Sequence, residues 1–259
     1  MPPIITLLTD FGTADGYVGE VKGVLLSGAP RAAVVDIAHD VRAQDVDAAR
    51  LAVARYWRRF PAGTVHLVVV DPGVGSKRAA IAVESDGRYL VGPDNGVLSP
   101  ALLARDARVV ALPLPPRASH TFHGRDVFAP AAALLAEGAA LELLGTALDS
   151  PIVLRTPEAR RLDDGRVLGE VIAVDRFGNL ISNIVALHGG RVEVAARSLE
   201  VRRAYTDVRE GELTALVGSL GFVEIAVRDG SAAATLGVGR GATVLFHPPF
   251  IASASSAGA

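Results

Sequence analysis

The chain has 259 residues, of which 50% are hydrophobic and 21% are charged, so it is long enough to bury one large core or two smaller ones. Lys and Arg number 26 against 28 Asp and Glu, which leaves a net charge of -2. Because like charges form no block, neither nucleic acid nor an anionic membrane is an expected partner. The absence of cysteine excludes disulfides, thiolate metal sites and a cysteine nucleophile.

The N-terminal segment MPPIITLLTDFG lacks a basic region and reaches an aspartate after a short apolar run. We therefore expect a first strand here and not a signal peptide. No apolar run approaches the roughly 20 residues of a membrane-spanning helix. These features predict a cytoplasmic globular protein.

Short, β-branched apolar runs alternate with helical patterns in the first part of the chain, and such runs are typical of strands buried on both faces. The predicted strands are 4–8, 33–37, 64–70, 79–83 and 107–112. The predicted helices are 16–27, 45–60, 97–104 and 127–137. This alternation predicts an α/β domain over 1–150, with a mainly parallel sheet and helices on both faces.

The sequence changes character after residue 150. Two prolines, several charges and an Asp-Asp-Gly turn signal indicate a linker over 151–165. Closely spaced strand-like runs then predict a smaller, all-β, barrel-like domain over 166–248. These runs are 167–174, 180–185, 191–195, 199–204, 213–218, 222–227 and 242–246. The small polar residues of 249–259 predict a disordered tail.

Two carboxylates directly follow predicted strands of the first domain. Asp10 ends the first strand, and Asp71 begins the segment Asp-Pro-Gly-Val-Gly after the third. Ligands of α/β sheets bind outside the carboxyl edge of the strands, so both residues are candidates for a functional site. The structural alternative is that Asp10 caps the next helix and Asp71 begins a turn. The glycines do not have the spacing of a phosphate-binding loop.

Arg78 and His123 are further candidates. Arg78 lies seven residues after Asp71, and a turn between the two could bring the Arg78 guanidinium back to the Asp71 carboxylate. The alternative is a surface hairpin, in which the Arg78 guanidinium would be solvated. His123 lies just before the helix 127–137, for which Asp126 is the expected N-cap. The histidines lack metal-ligand spacing, so we do not expect a transition-metal site. No serine lies in a nucleophile elbow, so a hydrolase of that type is not expected either.

Two turn segments complete the set of candidates. Asp175, Phe177 and Asn179 lie between two predicted strands of the second domain. An ordinary hairpin with glycine at positive φ is one interpretation, and recognition of an adenine ring by an amide and an aromatic face is the other. Gly-Pro-Asp-Asn-Gly at 92–96 is assigned a structural role first.

Six segments, in order along the chain, resemble the S-adenosyl-L-methionine hydroxide adenosyltransferase family, which is related to the fluorinase and chlorinase enzymes. They are LLTDFG, VVDPGVGSKR, VGPDNG, TFHGRD, VDRFGN and GSLGFVEIAV. The resemblance implies an N-terminal α/β domain, a C-terminal β-barrel and a homotrimer with active sites between subunits. It also implies hydrolysis of S-adenosyl-L-methionine, without a cofactor, to adenosine and L-methionine by in-line attack of water at the ribose C5′.

The same resemblance implies that Asp71, Arg78 and His123 are catalytic, with either Asp71 or His123 taking the proton from water. The substrate-binding roles it implies are Asp10 for the ribose hydroxyls, Asn179 for the adenine edge, Phe177 and Tyr205 for the adenine faces, and Asp175 with Ser219 for the methionine amino and carboxylate groups. Leu220 departs from the arginine of the halogenating enzymes.

Three alternatives stay open at this point. The halogenating branch carries a tyrosine at the place of Asp71, so a halide-using adenosyl transferase is less favoured than a hydrolase. A non-catalytic S-adenosylmethionine or adenosine-binding module would need Asp10, Phe177 and Asn179 but not the catalytic three. A nucleotide-binding enzyme with phosphate chemistry would need a phosphate loop that this sequence lacks.

Overall fold

The computed structural model describes residues 2–249, and the chain divides into two compact units between Arg155 and Thr156. The division falls inside the predicted linker 151–165. Within that segment, Ile152 and Leu154 donate backbone hydrogen bonds to Asp94 and Ser99 of the first unit. The predicted disordered tail, apart from its first residue, lies outside the described residues.

A seven-stranded sheet with helices on both faces forms the first unit. Its strands are β1 (Ile4–Thr9), β2 (Ala33–Ala38), β3 (Val65–Val69), β4 (Ala80–Ser85), β5 (Arg88–Pro93), β6 (Arg108–Leu112) and β7 (Thr146–Ala147). Its helices are α1 (Tyr17–Gly28), α2 (Val46–Tyr56), α3 (Ser99–Leu102) and α4 (Ala129–Ala136), with short helical turns at Trp57–Arg59, Gly124–Phe128 and Leu141–Leu143.

The strand order is β2-β1-β3-β5-β4-β6-β7. The pairs β1–β2, β1–β3 and β3–β5 are parallel, whereas β4–β5, β4–β6 and β6–β7 are antiparallel. The prediction of a mainly parallel sheet is therefore wrong, because the sheet is mixed. The cause is the two-residue turn at Asp86 and Gly87, which both have positive φ and which join β4 and β5 as a hairpin.

Alternate residues of the central strands pack on opposite faces of this sheet. Ile5, Leu7 and Leu67 belong to a core beneath α1 and α4. Leu8 and Val68 belong to a second core beneath α2 and α3. Burial on both faces explains why these strands are continuously apolar and not alternating.

The second unit is a closed barrel of seven strands. The strands of the unit are β8 (Arg160–Arg161), β9 (Val167–Val174), β10 (Leu180–Val185), β11 (Arg191–Val194), β12 (Arg197–Arg202), β13 (Leu213–Val217), β14 (Phe222–Val227) and β15 (Thr243–His247), and its helix is α5 (Ala232–Leu236). The ring runs β9-β10-β14-β13-β12-β11-β15 and closes back on β9, while β8 pairs with β9 outside the ring. The barrel predicted for this part of the chain is confirmed.

A core of aliphatic side chains with one phenylalanine, Phe246, fills the barrel. Among residues 2–249, no helix combines the length and the apolar character needed to cross a bilayer.

Candidate active site

The carboxyl ends of β1 and β3 lie side by side in the first unit. Thr9 pairs with Val69 in their parallel register. Asp10 and Asp71 follow these paired residues by one and two positions, so both carboxylates leave the sheet at the same edge. This edge is where α/β sheets bind their ligands.

Arg78 joins Asp71 and His123 into one cluster. Its Nε donates to Asp71 Oδ1 at 2.9 Å and its Nη2 donates to Asp71 Oδ2, so the guanidinium holds the carboxylate with two bonds. Nη2 also lies 2.8 Å from Nδ1 of His123. The side chains of Asp71 and Arg78 are only 6% and 8% exposed, and His123 is buried. The solvated-hairpin alternative for Arg78 is therefore wrong.

A tight turn brings Arg78 back to Asp71. The backbone N–H of Val74 donates to the Asp71 carbonyl at 3.2 Å, so Asp71 is the first residue of the turn. Gly75 has a φ of +77°, and a Cβ at this position would overlap the carbonyl oxygen of His120. Glycine is required here for both reasons. The segment that leads to His123 can therefore pack directly on the turn.

His123 is held as a neutral imidazole. Guanidinium nitrogens can only donate hydrogen bonds, so Nδ1 of His123 must accept the bond from Arg78 and the ring proton must lie on Nε2. Burial, followed by the positive charge of Arg78, lowers the pKa of His123 below its usual value. The ring thus offers an N–H donor at Nε2, while its lone pair faces Arg78.

The helical turn Gly124–Phe128 starts immediately after His123 and leads into α4. Because helical geometry starts at Gly124, Asp126 lies within the first turn and the prediction that it is the N-cap is wrong. Its carboxylate instead accepts from the backbone N–H of Ser119 at 2.8 Å and pairs with Arg125. These bonds hold the segment before His123 against the start of the helix.

Asp10 is fixed by a loop and not by a helix. Its Oδ2 accepts from the backbone N–H of Gln44 at 2.7 Å, and Gln44 adopts a φ of +65°. The N-cap of α1 is Gly16, which makes no side-chain capping bond. The helix-cap alternative for Asp10 is therefore wrong.

Sequence reasoning missed the role of His39 beside Asp10. Nδ1 of His39 lies 2.9 Å from Oγ1 of Thr9. The backbone carbonyl of His39 accepts from the N–H of Gly12 at 2.7 Å. These bonds fasten the residues on either side of Asp10 to the end of β2. Pairing between residues so far apart in the chain leaves no local signal in the sequence.

Asp175 organises the β9–β10 hairpin in the second unit. Oδ1 accepts from the backbone N–H groups of Phe177 and Asn179, both at 2.9 Å, and Oδ2 accepts from Asn179 Nδ2 at 3.0 Å. Gly178 has a φ of +82°, as the hairpin interpretation requires. The carboxylate of Asp175 therefore sets the orientation of the Asn179 amide.

A cavity of about 590 Å³ lies beside this hairpin, and its walls include Phe177, Asn179 and Tyr205. This volume is typical of small-molecule sites. Phe177 and Tyr205 are 75% and 43% exposed, which leaves their ring faces open to a planar ligand. Burial and the charges of Glu224 and Asp175 raise the pKa of Tyr205. Ser219 is not in the cavity wall but in the exposed turn between β13 and β14.

Sequence reasoning also missed Arg228 and Asp229 in the wall of this cavity. Asp229 has a φ of +56°, and Arg228 donates from Nη1 to the Val208 carbonyl at 3.0 Å. The Asp-Gly pair at 229–230 is a turn signal that indicates a bend here, but not that the bend faces a cavity. Over residues 2–249, no three or more His, Asp or Glu side chains gather in a group that could hold a metal ion.

Comparison with known proteins gives consistent findings for both units. Residues 5–145 match the SAM hydroxide adenosyltransferase N-terminal domain, and residues 169–245 match the C-terminal domain of the same name. An (R)-S-adenosyl-L-methionine hydrolase of Thermus thermophilus is 44% identical over 253 residues, which cover 93% of this chain and 98% of the relative.

A fluorinase of Actinopolyspora mzabensis is 31% identical over 213 residues, 70% of this chain and 71% of that protein. Among solved structures, an uncharacterized conserved protein from Thermotoga maritima superimposes with a TM-score of 0.85. It is 38% identical, and the match covers 94% of this chain and 99% of that one.

Proposed function

The chain belongs to the SAM hydroxide adenosyltransferase family, and from this premise we propose that it is an enzyme that hydrolyses S-adenosyl-L-methionine to adenosine and L-methionine. The observation that carries the proposal is the buried cluster of Asp71, Arg78 and His123. A binding module would not need these three residues together. A halide-using enzyme is less favoured because an aspartate, which would hold water, stands at position 71.

The reaction is a substitution at the ribose C5′. The water oxygen forms a bond to C5′, the C5′–S bond breaks with its electron pair passing to sulfur, and the water loses one proton. A sulfonium is already a good leaving group, so the protein need not protonate the sulfur. Its task is to hold a water in line with the C5′–S bond and to receive the proton.

Asp71 is the group best placed for this task. Each carboxylate oxygen has two lone-pair positions, and Arg78 uses one on each oxygen, so the others can accept hydrogen bonds from water. The lone pair of His123 faces Arg78 and is engaged. We therefore assign the proton to Asp71, with the Nε2–H of His123 as a donor that orients the site.

Substrate recognition follows the residues of the second unit and Asp10. In this proposal, Phe177 and Tyr205 stack on adenine and Asn179 binds its edge, which the aromatic cavity wall supports. Asp10 holds the ribose hydroxyls. Asp175 and Ser219 are proposed for the methionine amino and carboxylate groups. Of the residues proposed in the second unit, Phe177, Asn179 and Tyr205 line the cavity, whereas Asp175 and Ser219 do not.

The family resemblance further suggests a homotrimer with active sites between subunits and a cytoplasmic location. The trimer is supported by the division of the candidate residues, since the reactive ones and Asp10 lie in the first unit and those proposed for adenine and methionine lie in the second. Light scattering of the purified protein tests the trimer, and cell fractionation tests the location. A fully active monomer would contradict the first proposal.

The test of the activity is incubation of the purified protein with S-adenosyl-L-methionine, followed by chromatography. We expect adenosine and methionine in equal amounts, at a rate that a chelator does not change. Binding of the substrate without turnover would favour the binding module, and a 5′-halogenated adenosine would favour the halide-using enzyme. Loss of activity with a chelator and recovery with a divalent ion would refute the metal-free reaction.

A further inference from the structure

The loop of residues 94–96 contacts both ends of the segment that carries Asp71 and Arg78. We propose that Asp94 and Asn95 are positioning residues that fix this pair for the attack on C5′. The inference rests on the proposed hydrolysis. It adds two side chains that touch neither the water nor the substrate in that proposal.

Asn95 holds the chain on the Asp71 side. Its Nδ2 donates to the carbonyl of Val70, the residue just before Asp71, at 2.9 Å. Its Oδ1 accepts from the backbone N–H of Val97 at 3.1 Å. Because both ends of the amide are engaged, its orientation is fixed, and it anchors the last peptide group before Asp71.

Asp94 holds the chain on the Arg78 side. Its backbone N–H donates at 2.9 Å to the carbonyl of Ala79, the residue just after Arg78. The same carbonyl accepts from Arg78 Nη1 at 3.3 Å. Asp94 is only 7% exposed, and its Oδ1 accepts from the N–H of Ile152 at 2.8 Å. The backbone of Asp94 therefore anchors the residue that follows Arg78, and the positive charge of Arg78 favours the ionised Asp94 carboxylate.

Gly96 and the residues behind it keep the loop in place. Gly96 has a φ of +91°, and a Cβ there would overlap the side chain of Leu154. Ser99 Oγ donates to the Gly96 carbonyl at 2.6 Å and accepts from the Leu154 N–H at 2.8 Å. The loop is thus packed between the catalytic pair and residues 152–154, so it can act as a stiff support.

This arrangement predicts an effect on turnover and not on substrate binding. A misplacement of about 1 Å in a reacting group can cost roughly 10²-fold in rate. Releasing Val70 or weakening the hold on Arg78 would allow such a displacement of the Asp71 carboxylate. The loop acts on Asp71 and Arg78, which in this proposal handle the water and not the nucleoside, so KM should stay nearly constant.

The main test is Asn95→Asp, which keeps the shape and the acceptor for Val97 but loses the donor to Val70. We expect kcat to fall by about 10-fold or more while KM stays within about twofold. Asn183→Asp is the matched control, because Asn183 likewise donates to a backbone carbonyl, that of Pro157 at 2.9 Å, and accepts from a backbone N–H, that of Glu170 at 2.8 Å. The control should keep kcat within about twofold of the wild type.

A double variant separates positioning from a general loss of structure. If Asn95 acts through Asp71, adding Asn95→Asp to Asp71→Asn should lower kcat by no more than about twofold further. Asp94→Asn, which keeps the acceptor for Ile152 but loses the charge, is a second variant should Asn95→Asp fold poorly. It should lower kcat and leave KM unchanged.

Nuclear magnetic resonance of ¹⁵N-labelled histidine gives a readout that does not depend on turnover. The His123 signals should show the Nε2–H tautomer in the wild type and should shift in Asn95→Asp but not in Asn183→Asp. If wild-type protein hydrolyses S-adenosyl-L-methionine while folded Asn95→Asp and Asp94→Asn retain wild-type kcat, only the positioning role is refuted. If the wild type does not hydrolyse it, the proposed function fails, and an unshifted His123 signal in Asn95→Asp would still refute the positioning role.

Discussion

Asp71→Asn separates the charge of this residue from its shape. In the wild type, both carboxylate oxygens accept hydrogen bonds from Arg78. In the amide only Oδ1 can accept, and the amide NH₂ would face the remaining guanidinium donor. The substitution therefore leaves the buried charge of Arg78 partly uncompensated, and it removes the acceptor for the proton of water. We expect losses of both stability and kcat.

The size of each loss follows from the burial of the pair. The two side chains are 6% and 8% exposed, so solvent screens them little. Removing one partner of a buried ion pair costs about 3–5 kcal/mol, and one remaining hydrogen bond favours the lower end of that range. A loss of about 3 kcal/mol lowers Tm by about 6–12 °C in a protein of this size. Loss of a general base lowers kcat by roughly 10²-fold or more.

Steady-state kinetics, with adenosine quantified by chromatography, and calorimetric melting measure the two losses. Adding Arg78→Met to Asp71→Asn removes the uncompensated charge, so Tm should return toward the wild-type value while kcat stays low. Retention of kcat within about twofold of the wild type in Asp71→Asn would show that Asp71 does not handle the water, and the reasoning would fail.

Three further predictions concern recognition and stability. Asp10→Asn should raise KM and weaken adenosine binding in titration calorimetry, with a smaller effect on kcat than Asp71→Asn; unchanged binding would contradict the ribose role. Phe177→Ala and Tyr205→Ala should each weaken adenosine binding by about 1–3 kcal/mol, the size of a base–aromatic stack, and a wild-type Kd would place adenine elsewhere. Burial, with the charge of Arg88, lowers the pKa of His66 to about 4. The unfolded chain binds this proton near pH 6.5, so the free energy of unfolding should fall as the pH is lowered from 6.5 to 4. Measured by urea unfolding, the fall should be about 3 kcal/mol larger in the wild type than in His66→Leu. Parallel curves of unfolding free energy against pH for the two proteins would contradict this.

Segments with strong local patterns are the ones that the sequence predicts well. The predicted strands 167–174 and 180–185 coincide with β9 and β10. Each is a run rich in β-branched residues, and a turn signal separates the two runs. The ordered motifs also identify the family, and the two matching domain descriptions confirm it. The mixed sheet was not predicted, because β5 is not among the predicted strands. The end of β5 lies in a segment of Gly, Pro and Asn that indicates a turn. The Asp-Gly pair at 86–87 is a hairpin signal that could have revealed it.

The candidate site shows the same contrast. Asp71, Arg78 and His123 can be selected by residue type and by their places beside strand ends and a helix start. The neutral state of His123 depends on a contact with Arg78, 45 residues away in the chain. The support by Asn95 and Asp94 depends on Val70 and Ile152, at separations of 25 and 58 residues. Such contacts form only when the sheet and its loops have assembled, so no local sequence pattern predicts them.

In the proposed reaction, water attacks the ribose C5′ of S-adenosyl-L-methionine. Turnover in water enriched in ¹⁸O, followed by mass spectrometry of the adenosine, shows whether the oxygen comes from water. We expect one ¹⁸O atom per adenosine, located in the 5′-hydroxyl, and none in methionine. Adenosine that carries no label, or a product in which another nucleophile occupies C5′, would refute attack by water.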